Sequence, residues 1–307
     1  RTGLTFAEDG GIGMSISVSD DIFDARTISD NAMTDVLGAH MGCEEKVAQE
    51  GLQALYYGLA AIRSGHVDVV LVLGHCKESQ TESRNMCTNL AYDPFFCRPV
   101  GMDFLNVNAF QARASMEKAG VTDEHLAEVV VRSRENAAKN PFARESGKVT
   151  KKDVTNSPFL ADPIRELHAY PVTDWAVGML LCCEERVKEF TDHPVWITGF
   201  GNCMDRYFIG DRDLASNFSL KKACEQAYRM AGIRDPLREV DLGQLLEVVG
   251  DKTPDMDHGG GECSVERVCG EATPGAGCTQ ELSAGCHVDA RRLKPQARSE
   301  PSPPARA

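Results

Sequence analysis

No run of apolar residues approaches the roughly 18–20 that a membrane-spanning helix needs, and no charged-then-apolar leader opens the chain. The chain starts at Arg1 rather than methionine, which reads as a processed or incomplete start. Basic charge is also in deficit, with 33 Lys+Arg against 46 Asp+Glu and a formal net charge of −13. Nucleic-acid backbones and anionic lipid surfaces are gripped by a Lys/Arg field, so both classes of partner are excluded. A third shortage is local. From 251 to 307 there is no Phe, Tyr, Trp or Ile, while six of the 14 prolines fall there. Such a segment cannot offset its ordering entropy by burial. It reads as a disordered or out-of-frame tail, with 1–250 as the folded body.

Cysteine is plentiful, with twelve in 307 residues. Disulfide-dense folds are small secreted domains, which this chain is not. Cys182 and Cys183 sit in the apolar run MLLCC, as small buried hydrophobes do. The expectation is reduced thiols and a cytoplasmic location. Cys263, Cys269, Cys278 and Cys286 lack the two close pairs of a zinc ribbon, so no metal site is expected. Gly10, Gly11 and Gly13 precede a β-prone run rather than follow one, the reverse of a dinucleotide fingerprint.

The body reads as α/β. Met14 to Val18 is a short strand, and Leu52, Leu55, Leu59 and Ile62 repeat at helical spacing up to Ser64–Gly65. Val67 to Leu73 is a β-branched run of the kind buried on both faces of a parallel sheet. Helices are expected over 108–119, from Thr122 to about 139, and over 220–231. The stretch from Asn140 to Val154 reads as a polar surface excursion and PVWITGF, 194–200, as a strand, while 176–187 fits either strand or helix.

Three stretches in this order resemble the thiolase superfamily, most closely its sterol-carrier-protein-type and archaeal-type branch. GLQALYYGLAAIRSGHVDVVLVLGH, 51–75, is similar to the helix that carries the family's nucleophile and the core strand after it. RSRENAAKNPFARESGKVTKKDVTNSPFLADPIRELHAYPVTDWAVGMLLC, 132–182, resembles the branch's NP-x-A loop and P-x-x-D-G-A-A strand entry. PVWITGFGNCMDRYFIGDRDLASNFSLKKACEQAYRMAGI, 194–233, looks like the opening of the second half. The resemblance implies an α/β fold of two related halves in a layered αβαβα arrangement, here truncated at both ends. On it, 1–190 is the N-terminal half with its loop region, 191–250 the start of the second half, and 251–307 the tail.

The implied reaction is acyl transfer between coenzyme A thioesters, as in an acetyl-CoA acetyltransferase, with the thioester as substrate and no covalently bound cofactor. A Cys thiolate at a helix N-terminus takes the acyl group, splitting one hard step into two. The family nucleophile reads C-A-S-G-L-Q-A-L, and Gly51–Leu52–Gln53–Ala54–Leu55 match it without a gap. Counting back three residues from Gly51 places Ala48 in the nucleophile slot. Cys43 is a weak substitute beside Glu44 and Glu45. After 242 neither the family's G-H-P histidine motif nor a framed C-x-G cysteine appears; His258, His287, Cys263 and Cys269 stand outside any such setting. Trp175 replaces the usual Gly of D-G-A-A between Asp174 and Ala176, which is expected to reshape the pocket.

His75, Lys77 and Ser79 follow the core strand, where parallel sheets bind ligands, and with His168 they are the substrate-binding candidates. Arg144, Lys148, Lys151 and Lys152 are candidates for coenzyme A phosphates. The resemblance implies a homodimer through the strand before the nucleophile helix, about 44–47, and a partner subunit with OB-fold and zinc-ribbon parts. The alternatives to an acyltransferase are a non-catalytic acyl-CoA-binding or scaffold subunit, and chemistry that uses water in place of Cys.

Overall fold

The computed structural model describes residues 11–19, 33–40, 42–48, 51–81, 83–144 and 147–241. The tail, 251–307, lies outside the described residues.

Strand β1, Met14–Ser19, alternates Met14, Ile16 and Val18 with Ser15, Ser17 and Ser19. Side chains alternate across a strand, so the apolar set shares one face and the serines the other. A five-residue helix, α1 (Met33–Leu37), precedes strand β2, Glu44–Ala48. Helix α2, Gly51–Arg63, then leads to strand β3, Val69–Lys77. β1 lies between β2 and β3 and is parallel to both. The helix packs on the apolar face, where Ile16, Val18, Val70 and Val72 meet Ala54. Ile16, Val18 and Val70 are fully buried, each worth about 1.5–3 kcal/mol over an exposed position. Gly58 permits the approach, because a Cβ there would lie 2.7 Å from Leu181 and 3.3 Å from Val70.

Helix α3, Arg84–Asn89, is capped by Ser83, and α4, Phe104–Ala119, by Asp103; α4 stops at left-handed Gly120. Thr122 and His125 form a capping box that opens α5, Asp123–Ala137. Thr150 and Asp153 do the same for α6, Lys151–Asn156. The excursion expected over 140–154 therefore holds the start of a helix, because its Thr–x–x–Asp spacing satisfies two orphan backbone donors. A two-stranded ribbon, β4 (Phe159–Ala161) with β5 (Ile164–Arg165), follows. Strand β6, Asp174–Cys182, takes the first part of the ambiguous 176–187 segment and pairs antiparallel with β3, and the rest enters a 3-10 helix over Glu184–Glu189.

The sheet order is β2-β1-β3-β6, a mixed sheet rather than the all-parallel one expected. β3 alternates buried and half-buried residues, so its β-branched run did not mark burial on both faces. PVWITGF forms only an isolated bridge at Ile197. A strand needs a ladder partner, and among the described residues this extended segment is held by a helix instead. That helix is α7, Phe218–Ala231, which ends at left-handed Gly232. Gly199 and Gly201 lie so close to it that added Cβ atoms would be 2.2 Å from the Ala227 carbonyl oxygen and 1.8 Å from that of Ala223.

Candidate functional site at the carboxyl edge of the sheet

Three parallel strands end side by side. Ala48, last in β2, pairs with Ser19, last in β1. Val18 pairs with Gly74 on β3, which sets His75 next to that row; His75 pairs in turn with Ala176 of β6. Lys46 Nζ donates to Ser19 Oγ at 2.6 Å. Ala48 is three residues before Gly51, where α2 begins. This strand–helix junction is where the resemblance would put a nucleophile, and the residue there is Ala48.

Beyond β3 the chain makes a short 3-10 turn over Glu78–Gln80. Two staples tie this turn to the entry of β6. Ser79 donates its backbone N–H to Asp174 Oδ1 at 2.9 Å and its hydroxyl to Oδ2 at 2.6 Å. These two bonds hold the Asp174 carboxyl below the usual aspartate range, helped by the charges of Lys77 and Arg144. Glu78 is 1% exposed, forms an ion pair with Arg84, and accepts the Thr173 N–H at 3.3 Å. The Arg84 guanidinium donates to the Tyr170 carbonyl at 3.2 Å and lies 4.2 Å from the centre of that residue's ring and 5.6 Å from that of Phe104. A buried ion pair is retained only where further hydrogen bonds and ring contacts replace water.

Of the sequence candidates, His75, Lys77 and Ser79 are gathered at this edge. His75 is half-buried on β3, Lys77 is exposed at its last position, and Ser79 spends its donors on Asp174. His168 lies apart, in a turn packed on α5 and α6. Its Nδ1 accepts the Arg165 N–H at 3.0 Å, and burial lowers its basicity, with the Arg165 charge acting in the same direction. Cys43 is exposed just before β2, and its carbonyl accepts the Ser15 N–H at 2.9 Å. Five extended residues separate it from Ala48, about 16 Å. Lys151 pairs with Glu128 at 3.0 Å.

Sequence reasoning missed Glu78 and Arg84, whose only signal was opposite charge six residues apart. All eight described cysteines are thiols, and burial pushes the Cys182 thiol up. Among the described residues no group of three or more His, Cys, Asp or Glu is placed to hold a metal ion. No described helix is long and apolar enough to cross a membrane.

The mixed sheet, with helix α2 packed on it after strand β2, defines a thiolase-like α/β fold. The Ltp2–ChsH2(DUF35) aldolase structure shares it, with a TM-score of 0.63 at 17% identity over 80% of this chain and 65% of that one. No family model matches the chain. The acetyl-CoA acetyltransferase of Methanothermobacter thermautotrophicus is 32% identical over 188 residues, 61% of this chain and 49% of that protein. The 17-hydroxy-3-oxo-4-pregnene-20-carboxyl-CoA lyase of Mycobacterium tuberculosis is 30% identical over 147 residues, 45% of this chain and 38% of that protein. In sequence the chain is similar to acetyl-CoA acetyltransferases, and in fold it is similar to thiolase-like proteins. It spans about half the length of the curated acetyltransferases it matches.

Proposed function

We propose that this chain binds a coenzyme A thioester at the carboxyl edge of β2, β1 and β3 and acts on it without forming an acyl-cysteine. The observation that carries this reading is Ala48 at the strand–helix junction. The similarity to acetyl-CoA acetyltransferases supports a coenzyme A thioester as ligand, but a methyl group cannot take an acyl group, and Cys43, before the start of β2, is too far from Ala48 to stand in. His75 and Lys77 are the groups offered to the thioester; Ser79 and Asp174 fix the loop that carries them.

The division into an N-terminal half over 1–190 and the start of a second half over 191–250 belongs to this proposal. So do a cytoplasmic location, a homodimer and an OB-fold/zinc-ribbon partner. Two observations support the last pair: among the described residues β2 is an edge strand of the sheet, and a structural neighbour is named as a complex of two components.

A second reading is favoured by the lyase relative. Cleaving a carbon–carbon bond β to a thioester sends the electron pair to the thioester enolate and needs a base and an oxyanion site, but no thiol.

Incubation with radiolabelled acetyl-CoA tests the first reading. Saturable binding with no covalent label is expected in both the wild type and Cys43→Ser. Covalent label that disappears in Cys43→Ser would overturn it. Release of a shorter acyl-CoA and a carbonyl product from a 3-hydroxyacyl-CoA selects the lyase reading; intact bound thioester selects a carrier or scaffold.

A further inference from the structure

Strand β6 ends the sheet on one side, with β3 along its inner edge and, among the described residues, no strand along its outer edge. Two backbone bonds show which way its polar groups point. Cys183 donates its N–H to the Asp68 carbonyl at 2.9 Å, while the Val69 carbonyl turns away from β6 and accepts the Gly13 N–H at 3.0 Å. Val69 pairs with Cys182. Along an antiparallel ladder, residues point their N–H and C=O alternately at the partner strand and away from it. Asp174, Ala176, Gly178, Leu180 and Cys182 therefore aim both backbone groups outward. The first three are exposed and the other two half-buried.

An open edge of this kind is a template for another strand, and folded proteins blunt it with charge, proline, a bulge or short length. β6 has none of these. It runs nine residues without proline and pairs with β3 without a register break. Its one charge, Asp174, sits at the first position and is held by Ser79. β2, at the other end of the sheet, is five residues long and opens on Glu44, Glu45 and Lys46.

The sequence of β6 also fits itself. Antiparallel pairing centred on Gly178 sets 178 against 178, 176 against 180 and 174 against 182 as hydrogen-bonded pairs, the set whose groups point outward. The closer, non-bonded pairs are then Trp175 with Leu181 and Val177 with Met179, each formed twice. All four side chains lie on the α2 face, where the Trp175 indole rests on Gly74, its Cζ3 3.0 Å from where a Cβ would stand, and Leu181 joins the core under α2. Aromatic–aliphatic pairs of this kind stabilise a ladder, and no charge meets a like charge. Met179, 44% exposed in one copy, gains cover.

We propose that two copies of this chain join through β6, antiparallel about Gly178, into one continuous sheet ordered β2-β1-β3-β6-β6-β3-β1-β2. This rests on the reading that the chain is a homodimer, and it moves the contact to the edge opposite the one that the family resemblance implies.

The test is sedimentation equilibrium of the full chain as wild type, Met179→Lys, Ala176→Pro and Glu45→Lys, with diamide cross-linking of Gly178→Cys. The wild type is expected to sediment as a dimer. Met179→Lys sets a charge against the partner's Val177, and Ala176→Pro removes an outward N–H that the β3 ladder does not use. Each should raise the dimer dissociation constant at least about tenfold, while Glu45→Lys leaves it unchanged. Paired Cα atoms at position 178 would stand about 5.5 Å apart, a separation that a disulfide spans, so Gly178→Cys should cross-link two copies well above the wild-type background. Should Met179→Lys and Ala176→Pro fail to fold, that cross-link carries the test. A dimer weakened by Glu45→Lys alone, or one in which Gly178→Cys does not cross-link, would overturn the β6 contact and leave the homodimer standing. A wild type that stays monomeric would overturn both.

Discussion

The side-chain amide of Asn202 donates to Gln53 Oε1 at 2.6 Å, joining residues 149 apart in the chain. One turn further along α2, the Tyr56 ring stacks on Phe200 with centroids 4.8 Å apart. The extended segment around 194–203 is thus clasped between α2 and α7. Its glycines at 199 and 201 exist for the α7 side, where Ala223 and Ala227 present backbone carbonyls at almost contact distance.

Gly201→Ala is therefore expected to destabilise the fold by about 3 kcal/mol, since backbone must move to admit the methyl. Asn202→Ala should cost about 1 kcal/mol for the lost hydrogen bond and the stranded Gln53 acceptor. Urea unfolding reads both. A Gly201→Ala variant as stable as the wild type would show that the segment is not pressed on α7.

The buried Glu78–Arg84 pair makes a different prediction. Removing one partner leaves an uncompensated charge, so Glu78→Ala should cost about 3–5 kcal/mol. Replacing both, as Glu78→Leu with Arg84→Met, should recover much of that loss, because neither charge is then desolvated. Additive losses in the double variant, measured by chemical denaturation, would contradict a coupled pair.

The staple between Ser79 and Asp174 predicts a pH dependence. Hydrogen bonds that lower the folded-state carboxyl pKa give stability that is fully present above the unfolded value, near 3.9, and is lost as pH falls through the folded value. The stability gap between wild type and Ser79→Ala should be constant above about pH 5 and close below about pH 4. A gap that persists unchanged at pH 2.5 would mean Ser79 acts without the ionised carboxylate.

These contacts show what the sequence made legible. The α2 repeat of Leu52, Leu55, Leu59 and Ile62, its stop near Gly65, and the Thr122 start of α5 were readable because spacing and caps are local. The direction of β6 was not, since strand pairing depends on partners more than 90 residues away. Asn202–Gln53 was invisible for the same reason, and Glu78–Arg84 because opposite charges six residues apart do not by themselves mark a buried pair. PVWITGF carries a strand's composition, yet composition cannot say whether a ladder partner is present. At the site, His75, Lys77 and Ser79 could be named because a strand's carboxyl end is a sequence position. That Ser79 is committed to Asp174, and that Trp175 rests on Gly74, required the β3–β6 register.

His168 supplies a second pH prediction. Its imidazole is buried, and Nδ1 accepts the Arg165 N–H, so the folded state holds the ring neutral. The unfolded chain takes up a proton near pH 6.5 while the folded chain resists it, so stability is full above that value and is lost as pH falls from about 6.5 toward the folded value. His168→Asn keeps an acceptor for the same N–H but cannot titrate. Wild type should therefore lose stability relative to His168→Asn as pH falls from about 7.5 to about 5.5 (roughly one unit either side of the ordinary value near 6.5). Parallel stability curves over that range would show that His168 titrates normally.

The last prediction concerns Ala48→Cys. Position 48 ends β2 beside Ser19, so the substitution puts a thiol at the junction where the family resemblance would place the nucleophile. A thiol alone is not a nucleophile at neutral pH; with an ordinary pKa near 8.5 it is a few per cent thiolate. The histidine and cysteine motifs that the family resemblance would supply do not appear in this sequence, and His75, across β1 on β3, is a described imidazole at the level of the row. Ala48→Cys should therefore show slow alkylation by iodoacetamide and no acyl label from acetyl-CoA above the wild-type background. If label does appear, adding His75→Ala separates the sources of activation. Loss of label in the double variant would make His75 the base, and retention would make the junction itself sufficient. Either result would show that only the thiol had been lost from an otherwise working site.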